Sequence, residues 1–272
     1  MDVFIIAGQS NAVGRNEYDG QPMPPCASPI PSKLLMFPMS MNTWVDAKPC
    51  AGAISIGQFN DTLCIGPEMG FGHALIETLG ISSTVGIIPT AMGSTSLAVD
   101  WRPYSGGRWF AMAAAVKSAM SQAGPNARLR GVIWVQGEND AVSSYLANQY
   151  YANFQDFVLS LRAEMAQYPQ LTPPSSLPII MGVMSVTSRQ AMCPYISTIR
   201  SAQLKANPLI DPILKVDMAD YEMFYSYCGS IRACMPASRN PQLIHLTKNG
   251  QCTMGNAMAQ QYWAHTIYST VR

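Results

Sequence analysis

A chain of 272 residues, 48% apolar and only 12% charged, has hydrophobic material for one large α/β domain or two small ones. Its formal charge of +1, with no extended basic stretch, lacks the electrostatic footprint of a nucleic-acid binder, so no nucleic-acid partner is expected. No run of about 18 apolar residues occurs, so no membrane insertion is expected.

The chain opens on strand-like sequence, Val3–Ala7, followed at once by Gly8-Gln9-Ser10-Asn11. No charged region, apolar stretch and small-residue cleavage site precede it, so the expectation is a cytoplasmic protein or a secreted one whose leader has been removed. Arg15–Phe59 is proline-rich and mostly irregular, with one short strand at Lys33–Phe37. Pro67–Leu79 reads as a helix, with proline in the first turn and Gly80 as its stop. Thr84–Pro89 is the next strand and leads into "TAMGSTS", Thr90–Ser96. "DWRPYSGGRW", Asp100–Trp109, precedes an Ala- and Met-rich helix over Trp109–Ala123. Gly131–Gln136 is a strand that ends in "WVQGEND", Trp134–Asp140. Apolar residues at Tyr151, Phe154, Val158, Leu161 and Met165 carry a helix over Tyr145–Tyr168. Strands at Pro178–Met184 and Ile213–Asp217 bracket a helix over Ile196–Ala206. After the irregular Tyr221–Pro241 comes "IHLTKNGQ", Ile244–Gln251, and a last helix over Gly255–Tyr268.

Alternating strands and helices predict one parallel sheet with helices on both faces. With neither a repeat nor a linker, residues 1–272 read as a single domain. The irregular insertions, at about 15–59 and 221–241, are expected to shape or cover a crevice. Seven cysteines, an odd number without a CxxC pair, argue against a zinc ribbon. Cys26, Cys50, Cys228 and Cys234 fall in loop-like segments, available for disulfides in an oxidising compartment.

Four polar clusters lie at the ends of elements. Each has a plain alternative: GQSN as a turn, Gly93 as a relaxed bend, Glu138 as a solvated acid, Thr247 as a helix cap. Together they fall at one edge of the predicted sheet, where loops converge on a crevice.

GQSN, then AMGST, then WVQGEND, then a late HLT resembles the SGNH hydrolase superfamily. Within it, the order is similar to the sialate O-acetylesterase and acetylxylan esterase group, carbohydrate esterase family six. The resemblance implies a three-layer α/β/α sandwich around a flavodoxin-like, five-stranded parallel sheet. It implies a serine esterase that removes O-acetyl groups from carbohydrate through an acetyl-serine intermediate, without metal or cofactor. The implied partner is an O-acetylated sugar; oligomeric state stays open.

By the same resemblance Ser10 is the nucleophile and His245 the base, a role for which imidazole is suited near neutral pH. His73 and His265 fall inside helices and read as packing or surface residues. The oxyanion donors are the backbone N–H groups of Ser10 and Gly93 and the side-chain amide of Gln136, with Asn139 as a second candidate. Ser94 stands where relatives usually carry a second glycine.

One departure matters. Gln242 occupies the position, three before the histidine, where relatives usually carry aspartate. Glu138 is the expected replacement, with Asp220 or Glu222 as alternatives and Asp140 read as a structural acid. The competing reading is a catalytically impaired, carbohydrate-binding relative. Trp101 and Tyr104 are the expected substrate contacts, whereas Trp109 reads as the start of a buried helix. Arg102 and Arg108 either attract an acidic sugar or pair with Asp100. No P-loop is present, "GFGHAL" (Gly70–Leu75) lies within a helix, and G-x-S-x-G is absent.

Overall fold

The apolar runs of the sequence form one seven-stranded sheet. The computed structural model describes residues 1–16, 19–50, 64–169, 176–186, 193–206, 212–225 and 243–270. Its strands are β1 (Asp2–Gly8), β2 (Leu34–Met36), β3 (Val45–Asp46), β4 (Val85–Pro89), β5 (Arg128–Val135), β6 (Ile179–Val183) and β7 (Ile213–Asp217), in the order β3-β2-β4-β1-β5-β6-β7. All pairings are parallel except that of β2 with β3. Every residue of β1, β4 and β6 is buried, which is why these strands read as unbroken apolar runs rather than as alternating ones.

The five longer strands, β4-β1-β5-β6-β7, follow the flavodoxin-like order 2-1-3-4-5. The expected five-stranded sheet is thus corrected to seven strands. β2 and β3 extend the β4 edge from within the proline-rich segment: β2 is the short strand expected at Lys33–Phe37, and β3, only 2 residues long, is too short to register as a period. Direction of chain propagation reverses at β1, so the crevice of such a sheet opens beyond the carboxyl ends of β1 and β5.

Helices cover both faces. On one, α2 (Pro67–His73, prolonged by a wider turn to Thr78) packs with α6 (Lys248–Thr270), and Phe4 meets Phe71 and Tyr262 edge-on at 4.9 and 5.0 Å. The two helices come so close that a Cβ at Gly70 would lie 2.1 Å from the Cys252 carbonyl oxygen, and one at Gly255 would lie 2.1 Å from that of Pro67. On the other face lie α3 (Gly107–Ala123), α4 (Ser144–Met165) and α5 (Ile196–Lys205). There Trp134 of β5 packs on Phe157 at 4.5 Å and on Trp101 at 5.3 Å, and Trp109 of α3 meets Phe157 at 6.0 Å. Trp109 therefore opens a buried helix, as its sequence context suggests.

α6 begins seven residues before the expected Gly255, because Thr247 caps it: its hydroxyl accepts the Gly250 N–H at 2.9 Å. Two disulfides join segments far apart or loop-bound, Cys26 to Cys252 and Cys50 to Cys64, with Cα atoms 6.2 and 5.2 Å apart. Cys26 and Cys50 thus find partners in Cys252 and Cys64, not in each other. Cys228 and Cys234 lie outside the described residues.

Gly8 is where β1 turns into the crevice. Its φ of 124° is a conformation L-residues avoid, and a Cβ there would lie 2.1 Å from the Val135 carbonyl oxygen of β5. Gly8→Ala is expected to cost more than about 4 kcal/mol, seen as loss of soluble, cooperatively melting protein. Gly107→Ala, in open space at the first turn of α3, is the control and should melt within a few degrees of the parent. A Gly8→Ala protein as stable as this control overturns the account.

Candidate active site

The loops after β1, β4 and β5 meet beside one another because those strands are neighbours. β1 delivers Gln9, whose carbonyl accepts the N–H groups of Ala12 and Val13 and so starts the four-residue helix α1 (Ser10–Val13). Ser10, at its first position, is 8% exposed.

Asn11 is fully buried and its carboxamide works in two directions. Its Nδ2 donates to Glu138 Oε1 at 2.7 Å, and its Oδ1 accepts the Leu246 N–H at 3.1 Å. One side chain, adjacent to Ser10, therefore holds both the loop after β5 and the residue that follows His245. His245 lies in β9 (Leu243–Leu246), paired antiparallel with β8 (Met223–Tyr225), and not in a loop as its polar surroundings suggest. Glu138 and His245 are each 5% exposed.

The segment carrying His245 is fixed from its other end too. Lys248 Nζ meets Asp19 Oδ1 at 2.6 Å, with side chains 4% and 0% exposed, and also donates to the Asn16 carbonyl. Asn16 in turn exchanges two hydrogen bonds with the backbone of Ile65, at 2.7 and 2.9 Å. Glu222, an alternative acid, accepts from Thr247 Oγ1 and Gln21 Nε2 at 3.0 and 2.9 Å. Asp220 is exposed in the turn after β7. Gln242 lies outside the described residues.

A second polar network holds the loops after β4 and β5 together. Gln136 Nε2 donates to Asp140 Oδ2 at 2.6 Å and to the Thr95 carbonyl at 3.0 Å, and lies 3.3 Å from Gln9 Oε1. Asp140, fully buried, accepts the Leu97 and Ala98 N–H groups at 2.8 and 3.3 Å. Burial pushes its carboxyl up, and these donors pull it back down. It is the structural acid expected from sequence. The Gln136 carbonyl accepts from Tyr150 Oη and Gln203 Nε2, both at 2.9 Å.

This network revises the expected oxyanion donors. The amide hydrogens of Gln136 are committed to Asp140 and Thr95, so its side chain is a strut. Asn139, half-buried, uses its backbone N–H on Gln9 Oε1 at 3.2 Å and has no side-chain hydrogen bond among the described residues. Gly93 lies in the turn between Met92 and Thr95, half-buried. Its neighbour Ser94 has φ 60°, the left-handed region in which glycine is unstrained.

The expected substrate contact Trp101 is corrected: it is 0% exposed, so it cannot touch a ligand. Its indole N–H donates to Thr95 Oγ1 at 2.9 Å. Tyr104 is 57% exposed, edge-on to Trp109 at 5.1 Å. Arg108 gives Nη2 to the Thr90 carbonyl at 2.7 Å and lies over the Trp101 ring, and burial lowers its pKa. Its guanidinium thus serves the β4 loop. Arg102 is exposed. His73 bonds the Ser28 carbonyl and Glu77 within the α2 face, away from these loops.

One buried acid was not legible in the sequence. Glu68, in the first turn of α2, is 4% exposed and borders a cavity of about 10 Å³ together with Ile6, Ala12, Val13, Pro89 and Ala91. It therefore lies directly behind α1. Burial pushes its carboxyl up to about 7, against the lowering effect of its own N–H and that of Gly66.

The sequence model of a family described as carbohydrate esterase, sialic acid-specific acetylesterase, matches residues 1–264. A probable carbohydrate esterase of Arabidopsis thaliana is 27% identical over 96% of this chain and 89% of that protein. Its X-ray structure superimposes with a TM-score of 0.72 at 24% identity, covering 97% of this chain and 98% of that one. NanS superimposes with a TM-score of 0.66 at 15% identity, covering 97% of both chains. A carbohydrate acetylesterase from Xanthomonas citri gives 0.62 at 18% identity, covering 98% of this chain and 56% of that one. At these identities the three structures show a common fold.

Two outcomes follow from the buried groups. Asn11→Ala removes one partner from the Glu138 carboxylate and one from the Leu246 N–H, and should cost about 3 kcal/mol in urea unfolding. A loss below about 1 kcal/mol would show that Asn11 is not the joint between the loops. For Glu68, the native state keeps a proton that the unfolded chain releases between the ordinary 4.5 and about 7. Stability is therefore fully present below that window and falls as pH rises through it, by up to about 3 kcal/mol. Glu68→Gln should melt higher than the parent above neutrality and alike in acid. Parallel melting curves across this range would remove the assignment.

Proposed function

The chain belongs to the carbohydrate esterase family of sialic acid-specific acetylesterases, and from that membership we propose that it removes O-acetyl groups from carbohydrate through an acetyl-Ser10 intermediate. Ser10 Oγ attacks the acetyl carbonyl carbon as His245 takes its proton. The tetrahedral oxyanion is held by the backbone N–H groups of Ser10 and Gly93 and by the Asn139 carboxamide, which replaces Gln136 in this role. One such donor is typically worth about 3–4 kcal/mol of transition-state stabilisation. The imidazolium of His245 then protonates the sugar oxygen, which leaves as the free alcohol. Water attacks the acetyl-serine, His245 takes its proton, and acetate departs as Ser10 recovers its hydrogen. No step calls on a metal ion or a cofactor.

The observation that carries this reading is the Asn11 carboxamide, 2.7 Å from Glu138 and 3.1 Å from the Leu246 N–H, beside Ser10. It supports Glu138 as the carboxylate that orients His245 and balances its charge. A neutral orienting group lowers turnover by about 10⁴-fold in a serine triad, so a carboxylate here decides between a competent enzyme and a feeble one. The substrate is an O-acetylated sugar of the sialate or xylan type.

The test is release of p-nitrophenol from acetyl and butyryl esters, with a fluorophosphonate adduct mapped by mass spectrometry. We expect a preference for acetyl, an adduct on Ser10, and loss of both in Ser10→Ala. Glu138→Gln should lower kcat by about 10²- to 10⁴-fold, and Asn139→Ala by about 10²- to 10³-fold. A Glu138→Gln enzyme within about threefold of the parent refutes the acid assignment. A parent that neither turns over nor labels refutes the esterase reading and favours a sugar-binding protein without catalysis.

A further inference from the structure

Arg108 breaks two rules of stability at once. It is the second residue of α3, where the positive end of the helix dipole disfavours a cation. It is also half-buried, and burial works against its charge. Its side chain donates to the Thr90 carbonyl at 2.7 Å and, more weakly, to the Met92 and Met39 thioethers at 3.7 and 4.0 Å. None of these bonds runs to a carboxylate among the described residues. Asp100, the acid whose field it feels, accepts the Ser96 N–H at 2.7 Å instead. The Arg108 Nε is buried without a hydrogen-bond partner among the described residues. A residue that violates local preference in this way marks a position kept for function.

What the guanidinium holds is the loop that borders the nucleophile. Thr90 gives its N–H and its hydroxyl to the Ile6 carbonyl, at 2.8 and 2.9 Å. The Met92 N–H reaches the carbonyl of Gly8, two residues before Ser10, at 3.0 Å. Residues 90–92 are thus pinned by their N–H groups to the end of β1. The fork of Arg108 bonds the same stretch at the Thr90 carbonyl and the Met92 sulfur. Its central carbon lies 5.9 Å from the centre of the Trp101 ring, whose indole N–H anchors Thr95 at 2.9 Å.

We propose that Arg108 is a positioning residue for ester hydrolysis: it fixes the turn through Gly93 in the shape that receives the oxyanion, and its charge favours negative charge there. The inference deepens the acetylesterase reading and rests on it. Donors to a developing oxyanion are effective only when fixed beforehand, and a cation on the same loop adds attraction without touching the substrate. Arginine suits the place better than lysine, because its planar fork reaches two atoms and stacks on an aromatic ring.

The experiment compares the parent with Arg108→Met and Arg108→Lys on p-nitrophenyl acetate. Methionine keeps an apolar stem and loses the charge and every donor, whereas lysine keeps the charge and loses the fork. We expect kcat to fall about 10- to 100-fold in Arg108→Met and about three- to tenfold in Arg108→Lys, with KM within about twofold of the parent. Affinity for phenylboronic acid, which becomes a tetrahedral anion on a serine hydroxyl, should fall in step with kcat. An Arg108→Met enzyme within about threefold of the parent in kcat overturns the proposal. So does a rise in KM with kcat unchanged, which would make Arg108 a substrate contact. Losses as large in Arg108→Lys as in Arg108→Met overturn the role of the charge. Should Arg108→Met fail to fold, Arg108→Lys decides alone: a loss in kcat at constant KM supports the proposal, and parent-like kcat overturns it. Amide hydrogen exchange reads the same loop without turnover. The Met92 N–H should exchange about tenfold faster in the variants, with the β5 amides unchanged. If the parent neither cleaves the ester nor binds the boronic acid, the acetylesterase reading has failed. The hold of Arg108 on the loop then rests on exchange, and an unchanged Met92 rate overturns it.

Discussion

A single buried carboxamide sets the geometry on which the site depends. Asn11 needs both of its functions at once: a donor for the Glu138 carboxylate and an acceptor for the Leu246 N–H. Aspartate would keep the acceptor and lose the donor, and would set a second negative charge against Glu138. Leucine of similar volume would lose both. Only an amide of this length joins an acid from the loop after β5 to a backbone group of the separate two-stranded ribbon. Among the described residues the ribbon has no hydrogen-bond ladder to the main sheet, and side chains hold it relative to Ser10: Asn11, Gln251 to the Asn11 carbonyl at 3.0 Å, and Lys248 to Asp19.

Low charge content is the other face of this design. Gln9, Gln136 and Gln203 are almost wholly buried, and with Tyr150 and Asp140 they bind the loops after β1, β4 and β5 into one unit. Neutral amides do this at a smaller desolvation cost than ion pairs, and each supplies a donor and an acceptor. The buried pair of Lys248 and Asp19 is an exception, and it clamps the start of α6 where the chain arrives from His245. Breaking such a pair from one side costs more than the pair itself is worth, so it acts mainly as a specifier of position.

Much of this was legible beforehand, for a physical reason. Strands covered on both faces are continuous apolar runs, and helices announce themselves by period, so β1, β4, β5, β6 and β7 and the larger helices follow from sequence. β2 lies within the short strand expected at Lys33–Phe37, but β3 does not follow, because two residues carry no period, and β9 does not, because its pairing with β8 is long-range. GQSN and QGEND were readable as strand-end clusters, yet the division of labour within them was not. Gln136 and Asn139 are chemically equivalent amides three residues apart, and only the three-dimensional placement of Asp140 and Thr95 assigns the first to structure. Glu68 was hidden because a first-turn glutamate normally faces water at a helix N-terminus. Here Gly14 and Gly66 let α1 pack close enough to cover it.

Trp101 shows how an aromatic can serve a loop from beneath. Its ring fills the core against Trp134, and its indole N–H holds the Thr95 hydroxyl at 2.9 Å. That hydroxyl spends its own hydrogen on the Met92 carbonyl at 2.7 Å. The turn containing Gly93 and Ser94 is therefore suspended between two residues that a single hydroxyl bridges, with a buried tryptophan below. The positive φ of Ser94 is the strain that this bridge holds in place. A donor meant for a developing charge has to be fixed before the charge appears, since reorganising it during reaction would consume the stabilisation it provides. Burying Trp101 keeps its ring out of reach of a ligand and gives the turn proposed to hold the oxyanion a rigid floor.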